Sequence, residues 1–168
     1  TLDITIGQLL DQFGRHMGLS SPCGNKIEEL ASHSSGEYIQ LPYSVKGNDV
    51  SFSGLLTSTK SLITEGKNEF DVCFSLQETA FALLTEVVER ALSFTEKKEV
   101  LIVGGVSANK RVSTMLKIAI KRQKATLYSC PIYYAGDNGA QIAWTAICDN
   151  ISSGTTIKVQ DALIKQSW

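Results

Sequence analysis

The sequence predicts an α/β fold that is rich in helix. Two short apolar segments, residues 100–103 and 125–128, are typical of buried strands, and each precedes a stretch with the spacing of an amphipathic helix. Helical patterns over residues 3–18 and 69–93 add helix without adding strand. Because two short strands make a poor sheet on their own, we expect further strands upstream of Thr1.

Composition is that of a globular protein. The 168 residues are 43% hydrophobic and 20% charged, and 16 Lys and Arg against 17 Asp and Glu leave a net charge of −1. Such a balance gives no bulk attraction to nucleic acid, so any contact of that kind would be local or made by a partner. No apolar run approaches the roughly 20 residues that span a bilayer, so no membrane partner is expected. We predict one domain over residues 1–168, part of a longer protein.

The cysteines predict a reducing, cytoplasmic setting. Cys23, Cys73, Cys130 and Cys148 are far apart and show no spacing typical of metal ligands. With no signal peptide visible, free thiols are the expectation.

The first half of the chain is predicted to be mostly helical. Gly18 is a suitable stop for the first helix, and Asn68 is a suitable cap for the helix over residues 69–93. Between them the sequence predicts a helix over 25–33, short strands at 38–41 and 50–52, and a helix over 55–63 that ends at Gly66. Residues from about 34 to 66 are interpreted as an insertion.

The second half contains a strand, a glycine turn and a helix. Strand 100–103 leads into Gly104 and Gly105, and Ser107 is predicted to cap a helix that runs to residue 122. This order of elements presents backbone N–H groups to a phosphate or nucleotide in many α/β proteins. Such a turn is often just a tight connection. A further helix is predicted to begin at Asp137, and a last short one at 159–164.

Side chains with potential for catalysis are few. Asp11 lies among apolar residues in the first helix and is either a functional carboxylate or an exposed one that pairs with Arg15. His16 and His33 have no carboxylate at a useful spacing, and we expect both on the surface. No residue has the surroundings of a covalent nucleophile.

Several motifs in one order carry a resemblance to a known family. They are Thr1-Leu2-Asp3-Ile4, Leu41-Pro42-Tyr43-Ser44-Val45-Lys46-Gly47, Ser51-Phe52-Ser53-Gly54, Ser75-Leu76-Gln77-Glu78-Thr79, Val103-Gly104-Gly105-Val106-Ser107-Ala108-Asn109 and Asp137-Asn138-Gly139-Ala140. With them, the chain resembles the C-terminal part of the tRNA N6-adenosine threonylcarbamoyltransferases, once described as O-sialoglycoprotein endopeptidases. The archaeal and eukaryotic type, the catalytic subunit of the KEOPS complex, is the most similar.

The resemblance implies a ribonuclease-H-like lobe of the actin, sugar kinase and Hsp70 superfamily, without its opening strands. It implies transfer of a threonylcarbamoyl group from threonylcarbamoyl-AMP to N6 of the adenosine beside the anticodon in tRNA. The implied partners are KEOPS-type subunits, including a small protein kinase, with tRNA bound through the complex. The implied ligands are an adenine nucleotide and, in the full-length protein, one divalent ion of the iron or zinc type.

The resemblance also implies roles for individual residues. Asp11, Gly24, Glu28 and Asn109 match nucleotide contacts, with Glu28 at the ribose hydroxyls, and Gly104 and Gly105 match the floor of the adenosine pocket. Asp137 matches a metal ligand that would join two histidines of another lobe. Since one aspartate is too few ligands for a catalytic metal, we expect the chain alone not to modify tRNA.

Three alternatives stay open to different degrees. A non-catalytic nucleotide-binding lobe that docks KEOPS partners keeps the fold and removes the chemistry. A metalloprotease is disfavoured because the sequence contains no HExxH helix. A dinucleotide-binding module is disfavoured because Gly104-Gly105-Val106-Ser107 is not a GxGxxG turn.

Overall fold

The computed structural model describes residues 1–136, 138–154 and 156–161. The chain divides into two compact units, Thr1–Ala135 and Gly136–Trp168. Unit 1 contains α1 (Ile6–His16), α2 (Gly24–Ser32), β1 (Val45–Lys46), β2 (Asp49–Val50), α3 (Ser53–Thr64), α4 (Glu69–Thr95), β3 (Glu99–Ile102), α5 (Lys110–Arg122) and β4 (Thr126–Ser129). Unit 2 contains α6 (Gly139–Ser153). Short 3₁₀ turns occupy Gly105–Ala108, Ile132–Tyr134 and Val159–Asp161.

The long helix α4 is the centre of unit 1. Helices α2, α3 and α5 all pack against it, and α1 packs against α2 and α3. Val72, Leu76, Ala80, Phe81 and Leu83 of α4 are fully buried, and they form one apolar core with Leu9 and Phe13 of α1, Ile27 of α2, Leu55 of α3 and Val112 and Leu116 of α5. Burial of this many large apolar side chains is the main source of stability for the unit.

Helix boundaries follow local capping chemistry. Thr5 and Gln8 form a capping box at the start of α1, and Gly18 follows that helix with φ +80°, as predicted for its stop. The Asn68 side chain accepts hydrogen bonds from the N–H groups of Phe70 and Asp71, which confirms the predicted cap of α4. Gly66 lies just after α3 with φ +78°, as predicted for the end of that helix.

The start of α5 differs from the prediction. Residues Gly105–Ala108 form a 3₁₀ turn, and α5 begins at Lys110 with Asn109 as its cap. Ser107 instead donates its hydroxyl hydrogen to the Gly104 carbonyl at 2.6 Å. The helix therefore starts three residues later than the predicted residue 107, because the asparagine oxygen reaches two helix N–H groups and the serine is engaged within the turn.

The strands form two small sheets. β3 and β4 are parallel, with Val100 opposite Leu127 and Ile102 opposite Ser129, which agrees with the predicted strands within one residue. β1 and β2 form a two-residue antiparallel hairpin that turns through Gly47 at φ +62°.

The predicted strand at residues 38–41 is absent, since those residues have no strand partner. Side chains of α4 bind them instead: Ile39 donates its N–H to Ser75 Oγ at 2.8 Å, and the hydroxyls of Tyr38 and Thr79 are 2.8 Å apart. An alternating apolar pattern does not distinguish a strand in a sheet from an irregular segment held by a helix.

Unit 2 has one described helix. Asn138 caps α6 by accepting hydrogen bonds from the N–H groups of Ala140 and Gln141, and Gly154 follows the helix at φ +67°. Asp137, the predicted start of this helix, lies outside the described residues, as does the end of the predicted helix at 159–164. In the part of the chain that the structure describes, no helix is both long enough and apolar enough to cross a membrane.

Candidate functional site

A cavity of about 420 Å³ lies where α1, the loop before α2 and the 3₁₀ turn before α5 meet. Four of the residues that the sequence assigned to a nucleotide line it: Asp11, Gly24, Gly105 and Asn109. Leu10, Val106 and Ala108 add an apolar part to its wall. Its volume is in the range of sites that bind small molecules, and a mostly apolar wall with a few polar groups is typical of such sites.

Asp11 comes from the face of α1 that meets the loop. Its Oδ1 accepts a hydrogen bond from the N–H of Cys23 at 2.7 Å, so the bond that forms is to the loop, and no ion pair with Arg15 is present among the described residues. The second oxygen, Oδ2, has no hydrogen-bond partner within the described ranges. The carboxylate therefore positions the loop and retains acceptor capacity for a ligand.

Close packing of the loop against α1 depends on a glycine. A Cβ added at Gly14 would lie 2.4 Å from the Cβ of Cys23, whereas a Cβ at Gly24 would meet only Leu10 Cδ1 at 3.9 Å. Cys23 is fully buried, and its thiol lies 3.8 Å from the Asp11 carbonyl oxygen. Gly14 thus permits the approach that brings Gly24 to the cavity wall.

The two glycines of the turn have different positions. Gly104 adopts φ +89° and does not line the cavity, so its contribution is the positive-φ backbone that starts the turn and that glycine adopts readily. Gly105 lines the cavity. Ser107 donates both its N–H and its hydroxyl to the Gly104 carbonyl, which holds the turn closed.

Both the oxygen and the nitrogen of the Asn109 side chain form hydrogen bonds within the protein. Its Oδ1 accepts hydrogen bonds from the N–H groups of Arg111 and Val112, and its Nδ2 donates to Gln77 Oε1 at 2.9 Å. Both Asn109 and Gln77 are buried. Asn109 therefore shapes the cavity wall and fixes the start of α5, with its amide group directed to protein partners.

Glu28 lies next to this cavity and lines a different one. It borders a hollow of about 450 Å³ together with Gln77, Glu78, Lys110 and Arg111. Its Oε1 accepts the N–H of Lys110 at 2.9 Å. The structure thus brings Asp11, Gly24, Gly105 and Asn109 together and places Glu28 on the other side of the first turn of α5.

The first turn of α5 has no free N–H group to offer an anion. The N–H of Lys110 is bound by Glu28, those of Arg111 and Val112 by the Asn109 side chain, and that of Ser113 by the Asn109 carbonyl. A helix N-terminus binds phosphate through N–H groups that lack partners. The interpretation of this helix start as a phosphate site is therefore not supported by its hydrogen bonds.

Gln77 is the residue that the sequence did not identify. It lies in the Ser75-Leu76-Gln77-Glu78-Thr79 motif, which carried the resemblance without a role of its own. Beside it, Glu78 binds Arg111 through two hydrogen bonds of 2.5 Å, and this partner raises the pKa of the Arg111 guanidinium above its ordinary value. The burial of Gln77 could not be read from the sequence, because it follows from the packing of α4 against α5, and a buried polar side chain then needs a partner.

A metal site is not formed by the described residues alone. Among residues 1–136, 138–154 and 156–161, no three His, Cys, Asp or Glu side chains lie close enough together to hold an ion. Asp137, the predicted ligand, is outside these ranges. His16 and His33 are exposed, as expected, and all four cysteines are free thiols.

The sequence is similar to those of known proteins. Residues 1–144 match the family model of tRNA N6-adenosine threonylcarbamoyltransferase. The protein of that name from Archaeoglobus fulgidus is 54% identical over 147 residues, covering 88% of this chain and 45% of the relative. Another of that name, from Methanothrix thermoacetophila, is 45% identical over 168 residues, covering 100% of this chain and 51% of the relative.

A longer relative carries a second name. The probable bifunctional tRNA threonylcarbamoyladenosine biosynthesis protein of Methanothermobacter thermautotrophicus is 51% identical over 144 residues, covering 86% of this chain and 27% of the relative. The chain thus spans about half, or less, of the length of these curated relatives. The matched family model nonetheless covers most of the chain, and on that basis the chain belongs to the tRNA N6-adenosine threonylcarbamoyltransferase family.

Proposed function

We propose that the protein containing this chain transfers a threonylcarbamoyl group from threonylcarbamoyl-AMP to N6 of the adenosine beside the anticodon in tRNA. Family membership and the names of the relatives support the reaction. The observation that carries the role of this chain is the cavity of about 420 Å³ lined by Asp11, Gly24, Gly105 and Asn109. In this proposal the chain provides the nucleotide-binding side of the site.

Each part of the cavity wall has a task in such a site. Leu10, Val106 and Ala108 offer apolar surface to a purine ring, and Gly24 and Gly105 let the backbone approach the ligand. Asp11 Oδ2 accepts a hydrogen bond from a ribose hydroxyl or an amine. Glu28, one turn further along α2 than Gly24, lines the neighbouring hollow and binds the N–H of Lys110, so in this proposal it supports the start of α5 beside the cavity.

The proposed reaction is an acyl transfer. The N6 amine forms a bond to the carbamoyl carbon, the bond from that carbon to the phosphate oxygen breaks, AMP leaves, and the amine loses a proton. None of these steps needs a covalent nucleophile from this chain. The chain's contribution is to bind and orient the adenylate, which lowers the barrier by fixing the reacting groups in place.

Further features belong to the same proposal. The chain is one lobe of the actin, sugar kinase and Hsp70 type, working in the cytoplasm with KEOPS-type subunits that include a small kinase. Asp137 is proposed to ligate an iron- or zinc-type ion together with residues from elsewhere in the protein, since carboxylate and imidazole groups suit such ions. The described residues alone do not form a complete ligand set.

Replacement of Asp11 by asparagine tests the nucleotide site. The asparagine side chain keeps a carbonyl oxygen for the N–H of Cys23 and lacks the charge. We expect AMP and ATP to bind roughly tenfold more weakly, because a hydrogen bond to a charged group contributes about 1.5–3 kcal/mol. Isothermal titration calorimetry measures the change.

Asp49→Asn is the matched control for this test, since Asp49 is exposed in β2 and remote in sequence from the site. Urea denaturation of both variants verifies that the fold is kept. Equal nucleotide affinity for the unmutated chain, the Asp11→Asn variant and the control would contradict the proposed site.

The alternative is a non-catalytic nucleotide-binding lobe that docks KEOPS partners. It is favoured for the chain on its own by the lack of a metal-ligand set among the described residues. Assays of tRNA threonylcarbamoylation by the chain with KEOPS-type partners separate the two functions: turnover above background would contradict the non-catalytic one.

A further inference from the structure

Basic charge is concentrated in one part of the chain. Residues 100–136 contain six Lys and Arg and no Asp or Glu, while the rest of the chain has ten basic and seventeen acidic residues. The net charge of −1 therefore conceals a strongly basic segment in an otherwise acidic protein. All six basic residues belong to α5 or the turn directly after it.

Helix α5 presents three of these lysines on one face. Lys117 and Lys121 follow Lys110 by seven and eleven residues, which is about two and three helical turns. The opposite face packs into the core through Val112, Leu116 and Ala119. The three lysines are exposed, and none forms an ion pair within the described part of the chain. Arg111, in contrast, is paired with Glu78. We refer to Lys110, Lys117 and Lys121 together as the lysine face of α5.

The lysine face begins at the candidate nucleotide site. Asn109 lines the cavity and caps α5, so Lys110 follows the cavity wall directly in the chain. From Lys110 to Lys121 the helix rises about 16 Å. The row of lysines thus leads away from the cavity along the surface of unit 1, with Glu28 and Glu78 beside its first residue and none of the three lysines in an ion pair within the described residues.

We propose that the lysine face binds the phosphate backbone of the RNA whose adenosine enters the cavity. This inference rests on the proposed function and assigns RNA contact to the chain itself rather than to partners alone. Lysines without ion-pair partners release counterions when they neutralise phosphates, which is the main source of affinity for nucleic acid.

An acidic protein fits the same face less well. Interface cores between proteins are depleted in lysine and enriched in aromatic residues. The lysine face has Thr114 between Lys110 and Lys117 and no aromatic side chain on α5. It therefore lacks the apolar anchors by which proteins usually bind one another.

The test replaces Lys117 and Lys121 by glutamine in the 168-residue chain. Glutamine has nearly the helix propensity of lysine, so α5 is kept. The double variant Lys46→Gln, Lys67→Gln is the control, because it removes the same charge from exposed positions outside α5. Binding of transcribed tRNA is followed by fluorescence anisotropy at several salt concentrations between about 50 and 200 mM.

The α5 variant is expected to bind tRNA roughly tenfold more weakly near 0.1 M salt. The slope of log affinity against log salt concentration should fall by roughly 1.5, since each lost phosphate contact removes about 0.7–0.9 from it. The control should keep the slope of the unmutated chain. A merely structural role for these lysines would not change the number of ions released.

Three outcomes would overturn the inference: equal slopes in both double variants, no salt-dependent tRNA binding by the unmutated chain, or equally tight binding of poly-glutamate. Titration with AMP separates this inference from the proposed function. If AMP does not bind but the tRNA slope still falls in the α5 variant, the proposed nucleotide site is contradicted and the RNA contact of α5 is supported.

Discussion

Asp71 shows what one buried carboxylate does in this chain. It lies in the first turn of α4, is 6% exposed, and its Oδ1 accepts hydrogen bonds from the Ser34 hydroxyl at 2.6 Å and from the N–H and hydroxyl of Ser35. The Ser34 hydrogen bond, assisted by those from Ser35, outweighs burial and holds the pKa of Asp71 below its ordinary value. The charged form therefore stabilises the fold by joining the end of α2 to α4.

Replacement of Asp71 by asparagine should lower stability in a pH-dependent way. A folded-state pKa below the unfolded value of about 3.9 gives stability that is fully present above pH 4 and is lost as the pH falls through the folded value. The difference in urea midpoint between the unmutated chain and Asp71→Asn should be present at pH 7 and shrink below pH 4. The exposed Asp49→Asn serves as the control. A difference that is unchanged from pH 7 to pH 3 would refute this account.

At the scale of residues, the sequence showed which side chains are chemically notable better than it showed which groups they bind. Asp11 was singled out as a carboxylate among apolar residues, and the structure places it at a cavity. Its bond to the N–H of Cys23 was not predictable, because the two residues meet only through the close approach at Gly14. Gln77 and Asn109 are 32 residues apart and become partners only when α4 and α5 pack.

At the scale of elements, helices α4, α5 and α6 begin with the same kind of cap. Asn68, Asn109 and Asn138 each accept hydrogen bonds from two N–H groups at the start of α4, α5 and α6. Loss of such a cap costs about 1 kcal/mol of stability. Because only Asn109 of the three lines the candidate cavity, caps offer a way to separate stability from binding.

Alanine at Asn68 and at Asn109 should have different consequences. Both changes should lower the free energy of unfolding by about 1 kcal/mol, and more at Asn109, since Gln77 Oε1 then loses its donor inside the protein. Nucleotide affinity should fall only for Asn109→Ala. Urea denaturation and calorimetry with AMP measure the two effects. A similar loss of affinity in both variants would mean that reduced stability alone explains the Asn109 result.

Elements were predictable where local chemistry decides them. The stop of α1 at Gly18 and the cap of α4 at Asn68 follow from nearby residues. The error at residues 38–41 has a tertiary cause, since Ser75 of α4 accepts the Ile39 N–H that a strand partner would have bound, and Thr79 binds the Tyr38 hydroxyl. The late start of α5 has a local cause, since Asn109 caps the helix and Ser107 is engaged within the turn, and Glu28 of α2 adds a bond to the N–H of Lys110.

At the scale of the whole molecule, the two-stranded parallel sheet is the least complete part. Val100, Ile102 and Leu127 pack against the core, while Leu101 is 67% and Tyr128 is 50% exposed. The sequence predicted both strands, and it also predicted that two short strands make a poor sheet on their own. The prediction of one domain with an insertion at residues 34–66 stays a prediction, and so do the roles of the individual site residues.

The hold of α4 on residues 34–41 has a consequence for solvent exchange. This segment follows α2 and contains no helix or strand, yet the N–H of Ile39 is bound by the fully buried Ser75. Amide exchange slows where opening requires structure around the bond to unfold. In deuterated water we expect the Ile39 amide to exchange much more slowly than that of exposed Gln40, and Ser75→Ala to remove the difference. Equal exchange of the two amides in the unmutated chain would show that the segment detaches from α4 while the core stays folded.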